Sequence, residues 1–317
     1  MKKLASGLLL LLVIGMVGTI VSLKANGGFS FDTYNVSDKK TVNGENIEEV
    51  EIDSSSSDVK VVPTDEKEIS IELSGKVSKK LKRKLQLDVV ERGNKLEVAL
   101  KGENQLKFNI GVLIVDTNIN VYLPEKVYQS IKVETSSGSN EIDSLKAKEL
   151  SLRTSSGDLL ARDSAAEDTF IIQSSSGEVD LKNNKANIFD VKVSSGSLYA
   201  VDLDGKESTF HSSSGEISLK NVIGEIVAEA SSGEIIIDNE ETTGNMYTET
   251  SSGDVSVAFD KKPTSLAIDF KGNSGEGNVE IKGLKYDEKS EDNIIGQIGS
   301  GQYKLKVRTS SGDFELK

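Results

Sequence analysis

The sequence has no cysteine, no tryptophan and only three prolines, and aromatic residues make up 5% of its 317 positions. Without cysteine the chain forms no disulfides, thiolate zinc sites or cysteine nucleophiles. A compact enzyme of this length usually has more large apolar side chains, whereas 28 glycines favour many short strands joined by turns of small residues. The formal net charge of −13 argues against nucleic acid as a partner, because phosphate backbones are bound by basic surfaces.

The N-terminal segment combines two lysines with a long apolar run. Lys2 and Lys3 precede residues 4–23, which are mostly apolar. A helix of this length spans roughly 30 Å, the thickness of a bilayer's hydrocarbon core, and exceeds the apolar region of a cleavable signal peptide. The lysines predict a cytoplasmic N-terminus. We therefore predict a single-pass transmembrane anchor at residues 1–23, a linker at 24–46 and an extracytoplasmic bulk at the cell membrane. A cleaved signal peptide is the alternative.

A Ser-Ser-Gly triplet recurs about every 19 residues, a period just below that of common solenoid repeats. Its glycines are Gly138, Gly157, Gly177, Gly196, Gly215, Gly233 and Gly253. Apolar residues alternate with polar ones on both sides, as at Phe170 and Ile172 before Gly177 and Val179 and Leu181 after it. Alternation with period two is typical of half-buried strands. The same pattern surrounds Ser57, Gly275 and Gly312, so these positions are further copies.

Each copy is therefore predicted to be a strand, a tight corner and a second strand, with both apolar faces directed into one core. One such unit cannot bury its apolar face, but stacked units can. We predict an all-β fold, a parallel β-solenoid (β-helix) of about 19-residue coils with an N-terminal transmembrane helix. Separate antiparallel hairpins are the alternative.

The repeat domain is predicted to span residues 47–317, with two β insertions that depart from the period. The first, residues 63–128, contains several strand-like runs and a hairpin turn at residues 91–95, and we expect it to pack beside or cap the first end of the solenoid. The second, residues 283–299, is polar and is predicted to be a loop or hairpin.

The repeated serines are better explained as corner residues than as nucleophiles. Serine catalysis needs a neighbouring base, and the only histidine in the sequence, His211, lies on the outward parity. At a corner, glycine supplies a positive φ, and serine hydroxyls bond backbone groups that the turn leaves free. Small side chains also let successive coils approach closely. We therefore predict no catalytic residues, no enzyme activity and no cofactor.

The residue after the triplet glycine is acidic in most copies. In a solenoid these side chains would stack as an outward acidic ladder, whose members include Asp158, Glu178, Glu216, Glu234 and Asp254. Oxygen ligands suit Ca²⁺ or Mg²⁺, but the sequence has no EF-hand spacing. A solvated ladder without a metal is the favoured interpretation.

One basic run stands out in this acidic chain. Its members are Lys79, Lys80, Lys82, Arg83 and Lys84. They are candidates for contact with an anionic surface, either lipid headgroups or wall polymers. The alternative is a solvated hairpin tip or a strand edge protected by lysines.

Residues 47–317 resemble a bacterial family of uncharacterised β-strand repeats labelled "putative adhesin". The resemblance is carried by VYLPEKVYQSIKVETSSG, by the serial SSGEI and SSGDV corners, and by GSGQYKLKVRTSSGDFELK. With its N-terminal segment, the chain is also similar to the LiaG-type membrane-anchored proteins associated with envelope-stress operons of Firmicutes. The resemblance implies no catalytic residues.

These observations favour a non-enzymatic, membrane-anchored extracytoplasmic protein that binds or scaffolds cell-envelope components and modulates envelope-stress signalling. Its expected partners are the cytoplasmic membrane, envelope polymers and membrane proteins of a stress-response system. Two alternatives stay open: a surface adhesin or glycan-binding module, and a polysaccharide-active β-helix enzyme. The enzyme would need one coil with a distinctive cluster of carboxylates, and no copy in the sequence has one.

Overall fold

A computed structural model describes residues 32–79, 85–102 and 114–317. These residues form 25 β-strands and no α-helix, and none of them lies in a helix long and apolar enough to cross a membrane. The predicted fold class, a parallel β-solenoid with an N-terminal transmembrane helix, is wrong as stated, because the described sheet is not purely parallel. The described chain is β throughout, and its sheet mixes parallel and antiparallel pairs. The segment predicted as the anchor, residues 1–23, lies outside the described residues.

The strands are short and follow one another closely along the chain. In order they are β1 (Thr33–Asn43), β2 (Glu49–Ser54), β3 (Asp58–Thr64), β4 (Glu68–Ser78), β5 (Gln86–Arg92), β6 (Lys95–Lys101), β7 (Val115–Pro124), β8 (Val127–Thr135), β9 (Asn140–Asp143), β10 (Lys146–Thr154), β11 (Leu159–Arg162), β12 (Ala165–Ser174), β13 (Val179–Lys182), β14 (Lys185–Val193), β15 (Leu198–Ser212), β16 (Ile217–Ala230), β17 (Ile235–Asn239), β18 (Met246–Thr250), β19 (Val255–Phe259), β20 (Leu266–Lys271), β21 (Gly277–Val279), β22 (Lys285–Lys289), β23 (Asn293–Ile298), β24 (Tyr303–Thr309) and β25 (Phe314–Leu316).

The middle of the molecule is a solenoid-like stack of repeats. Each coil contributes a strand before the Ser-Ser-Gly corner and a strand after it, and both pair in parallel with the equivalent strands of the neighbouring coils. The register keeps equivalent positions opposite each other, so that Leu152 lies between Val133 and Ile172. The apolar positions of the alternating pattern are buried in one continuous core, in which Phe170 and Phe189 stack with ring centroids 5.7 Å apart.

A second corner, on the opposite side of each coil, uses left-handed backbone. Five residues there have positive φ values of 50 to 57°, namely Ser144, Asp163, Asn183, Asp202 and Asn221. Asn and Asp adopt this conformation more readily than most residues. Buried Asn184 then fastens the corner, because its side chain accepts a hydrogen bond from the Ser164 amide and donates one to the Ala161 carbonyl.

Antiparallel pairs occur at both ends of the stack. Strands β5 and β6 pair across a turn in which Gly93 has a φ of 67°, and this confirms the hairpin predicted at residues 91–95. Strand β4 pairs antiparallel with β1 and β7, and β23 pairs antiparallel with β20 and β22. The sheet is therefore mixed rather than purely parallel.

The order of coils in space departs from the order in sequence at both ends. Strand β2 lies between β6 and β8, so strands from a later part of the chain extend the stack beyond the first copy. At the other end β24 lies between β18 and β20, and β25 lies between β19 and β21. The coil formed by β24 and β25, the interleaved coil, is thus enclosed by two coils that precede it in sequence. Its Phe314 stacks on Phe270 at 5.1 Å.

Candidate functional site

The triplet glycines bring the backbones of successive coils into close contact. A β-carbon built on Gly177 would lie well under 3.0 Å from the carbonyl oxygen of Gly157, one coil earlier. The same overlap recurs along the stack, at Gly138, Gly157, Gly196, Gly215, Gly233, Gly253, Gly275 and Gly312. None of these described glycines has a positive φ. Of the two reasons predicted for small residues at the corner, positive φ at glycine is wrong and close approach of successive coils is confirmed.

The hydroxyl that fastens the corner lies three residues before the glycine. The Gly157 amide donates to Thr154 Oγ1 at 3.0 Å, and the Gly177 amide donates to Ser174 Oγ at 2.9 Å. These hydroxyl residues are buried, whereas Ser175 and Ser176 of the triplet itself are exposed. Sequence reasoning assigned the bonding to the triplet serines. The recurrence of Ser or Thr three residues before the glycine in most copies could have identified the correct position.

Replacing Thr154 with valine is expected to lower the free energy of unfolding by about 1–3 kcal/mol, because it leaves the buried Gly157 amide without an acceptor. Urea denaturation of the full chain measures the effect. Thr154→Ser keeps the hydroxyl and should cost clearly less. A valine variant as stable as the wild type, with a loss confined to Thr154→Ser, would show that the methyl group, rather than the hydroxyl, stabilises the corner.

The five residues of the predicted acidic ladder lie on one edge of the stack, directly after the corner. Asp158, Glu178, Glu234 and Asp254 are exposed, and Glu216 is half-buried. The aspartates have a structural contact that the glutamates lack, because Asp158 Oδ1 accepts from the Glu178 amide at 2.9 Å and Asp254 Oδ1 accepts from the Asp313 amide at 2.8 Å. Within the described residues, no group of three or more His, Cys, Asp or Glu side chains is placed to hold a metal ion. Ligand binding by this ladder stays a prediction.

The predicted basic run is described only at its first residue. Lys79 Nζ lies 2.8 Å from Asp32 Oδ2, and both side chains are about 62% exposed. Lys80, Lys82, Arg83 and Lys84 lie outside the described residues. Contact between this run and an anionic surface therefore stays a prediction.

A shallow groove of about 470 Å³ runs along the other edge of the corner. Each of five successive coils directs one polar side chain into it from the position four before the triplet glycine: Glu134, Arg153, Gln173, Lys192 and His211. We call this feature, defined by these five residues, the pre-corner groove. Serines line its rim, namely Ser155, Ser175, Ser194 and Ser213.

His211 is the member of the groove that sequence reasoning singled out, as an exposed residue without a role. It is half-buried, and its Nδ1 lies 3.7 Å from Glu229 Oε2 in the next coil. Sequence reasoning missed the column to which it belongs. The column could have been found only from position, because the residues four before each glycine stack on one another from coil to coil. They differ in residue type, so they do not appear as a sequence motif.

Some carboxylates elsewhere on the strand faces are paired with basic neighbours from adjacent strands. Glu51 lies between Lys95 and Lys132, and hydrogen bonds from Lys95 and then Lys132 hold the pKa of its carboxyl below the usual range. At Asp269, burial raises the pKa of the carboxyl, but hydrogen bonds from Lys304 and Arg308 outweigh it, so the pKa lies below the usual range. Carboxylates paired in this way are ionised. Glycoside hydrolysis, in contrast, needs one carboxylic acid that keeps its proton.

A family model described as Toastrack DUF4097 matches residues 47–317. No curated protein matches the chain in sequence. Among solved structures, a "putative lipid binding protein" from Parabacteroides distasonis is 14% identical, with 89% of this chain and 97% of that chain covered and a TM-score of 0.44. A "putative adhesin" from Bacteroides fragilis is 11% identical, with coverages of 91% and 98% and a TM-score of 0.40. A "putative adhesin" from Parabacteroides merdae is 12% identical, with coverages of 89% and 96% and a TM-score of 0.40.

Proposed function

The chain belongs to the Toastrack DUF4097 family, and from its repeat architecture we propose that it is a non-enzymatic β-repeat protein that binds or scaffolds components of the bacterial cell envelope. The observation that supports this proposal is the regularity of the stack. Register-matched coils present exposed polar side chains in long columns, which suits an extended partner better than a small substrate.

The proposal includes a location at the cell membrane, with the bulk of the chain on the extracytoplasmic side, and a role in modulating envelope-stress signalling. The lysines and the apolar run at the start of the sequence support the location. The stress role rests on the resemblance to LiaG-type proteins. The partners proposed are envelope polymers and membrane proteins of a stress-response system.

Crosslinking in intact cells tests the proposal. A tagged full-length chain, crosslinked before lysis and purified under denaturing conditions, is expected to carry envelope polymer or membrane proteins with it. External protease should also digest the chain in cells whose wall has been removed. A chain that is protected from this protease and recovered only with cytoplasmic proteins would overturn the proposal.

A surface adhesin or glycan-binding module is the second candidate. The pre-corner groove favours it, because serine hydroxyls and the Gln173 carboxamide provide neutral hydrogen-bonding groups of the kind that sugars use. Binding of the full chain to host glycans, but not to polymers from its own envelope, would favour this candidate over the first. Turnover of a glycan in the same assays would contradict the non-enzymatic part of the proposal.

A further inference from the structure

The pre-corner groove is a linear feature with a defined length. Neighbouring strands lie about 4.8 Å apart, so the four steps from Glu134 to His211 cover roughly 19 Å along the stack axis. The coil beyond His211 places Glu229 at the equivalent position. The groove thus begins at Glu134 and ends at His211, with Glu229 bordering it one coil further, and its centre carries Arg153, Gln173 and Lys192.

The charge of the groove is opposite to that of the chain as a whole. The chain carries a formal net charge of −13, yet of the described residues that line the groove only Glu134 is acidic, while Arg153 and Lys192 are basic. Charges beyond about 8 Å are largely screened at physiological salt. The potential inside the groove is therefore set by nearby charges rather than by the net charge, and among these Lys192 has the partner Asp190 whereas Arg153 has no ion-pair partner among the described residues.

Arg153 is the best-placed cation in the groove. It forms no salt bridge with any residue that the structure describes, and its Nε is buried without a hydrogen-bond partner among those residues. Its carbonyl accepts a hydrogen bond from Asn140 Nδ2 at 2.8 Å, which fixes the backbone beneath the side chain. A guanidinium group is planar and binds phosphate and carboxylate groups through two parallel hydrogen bonds.

Lys192 adds a second cation two coils away, about 9.6 Å along the axis. Its Nζ is held by Asp190 Oδ2 of the same strand at 2.9 Å. The Lys192 side chain is 51% exposed, and ion pairs of this kind contribute little, so its ammonium group can also bind an incoming anion. Between the two cations lie Gln173 and the rim serines, which are neutral hydrogen-bonding groups.

We propose that the pre-corner groove binds a short segment of an anionic, hydroxyl-bearing envelope polymer, with Arg153 and Lys192 contacting successive anionic groups. The chemistry recognised is a phosphate or carboxylate group flanked by hydroxyls, as in a phosphodiester-linked polyol or a uronic acid polymer. The bordering glutamates repel a polymer that continues along the axis, which limits the bound segment to about four coils. This inference rests on the proposed function and assigns its site and ligand class.

Isothermal titration of the full chain with short oligomers tests the inference. The probes are linear polyphosphate, oligogalacturonate and, as a neutral control, dextran oligomers of matched length. The wild-type chain should bind at least one charged probe and bind dextran much more weakly. The better charged probe then identifies whether phosphate or carboxylate is preferred.

The double variant Arg153→Gln/Lys192→Gln is expected to weaken binding about tenfold or more, because each substitution removes a charge-assisted hydrogen bond. The matched control is Lys182→Gln/Lys220→Gln, which removes two exposed lysines outside the groove and changes net charge equally. Its affinity should fall less than about twofold, since long-range charge is screened. Arg153→Lys, which keeps the charge but loses the planar fork, should give an intermediate affinity.

Three results would overturn the inference: equal weakening in both double variants, binding of dextran as tight as that of the charged probes, or no binding of either charged probe. Pull-down of isolated envelope material keeps the two proposals distinguishable. If the wild type and the Arg153→Gln/Lys192→Gln variant both bind this material equally, the groove assignment fails and the proposed function stands. If neither binds it, the proposed function fails as well.

Discussion

Replacing Gly177 with alanine is expected to lower the free energy of unfolding by about 3 kcal/mol or more. The added methyl group would overlap the carbonyl oxygen of Gly157, and a backbone carbonyl cannot rotate away as a side chain can. Relief requires the two coils to separate at the corner. This separation would also break the hydrogen bonds that join these two coils at the corner, from the Ser175 amide to the Thr154 carbonyl and from the Glu178 amide to Asp158 Oδ1. Urea and thermal denaturation of the full chain measure the loss.

Gly93→Ala is the matched control for this prediction. Gly93 has a φ of 67°, but a β-carbon built there has no heavy atom within 4 Å. This variant introduces left-handed strain without a collision and should cost about 1 kcal/mol. Similar losses at the two positions would mean that corner glycines are needed for conformational freedom rather than for close approach.

Deletion of residues 303–317, the interleaved coil, is expected to expose the coils on both of its sides. Strands β18 and β19 would lose their partner on one face, and β20 and β21 would lose theirs on the other. The core would also lose four buried side chains, each contributing about 1.5–3 kcal/mol: Leu305, Val307, Phe314 and Leu316. Amide hydrogens in residues 246–298 should exchange more than about a hundredfold faster, while the central coils stay protected.

Hydrogen exchange measured by mass spectrometry distinguishes this arrangement from a stack in simple sequence order. In sequence order β18 would pair with β20, and deletion of the later residues would leave amides 246–271 protected. Persistence of that protection would therefore contradict the interleaved arrangement. Glu315→Gln is the control, because it changes a half-buried side chain in β25 without removing backbone pairing. It should alter stability by no more than about 0.5 kcal/mol.

The repeat itself could be predicted because the relevant information is local. Alternation at Phe170, Ile172, Val179 and Leu181 identifies the inward positions within one copy, and all four are buried. Close approach of successive coils was predicted from the small residues at the corner, but the need for glycine in particular could not be predicted in the same way. It depends on a contact between Gly177 and Gly157, twenty positions apart, and becomes visible only when two coils are placed at their actual separation.

The order of coils was hidden for a related reason. The copy around Gly312 has the same apolar pattern as any other copy, and nothing in it indicates that it pairs with β18 rather than with the end of the stack. The pre-corner groove was missed because Arg153, Gln173 and Lys192 share a position but not a residue type. Inward positions are apolar in most copies because packing in the core restricts them. Outward positions vary from copy to copy, and only the register of the strands shows which of them lie side by side.

The interleaved coil gives the order of synthesis a structural consequence. As the chain emerges from its N-terminal side, β18 and β19 can join the growing stack at once. Until residues 303–316 have followed, β20 can pair only with β23 and β21 has no strand partner among the described residues, so neither is joined to the stack. That end of the stack is therefore completed in a single late event rather than coil by coil. A chain interrupted before this event keeps open strand edges, and such edges mark it for pairing with other chains or for proteolysis.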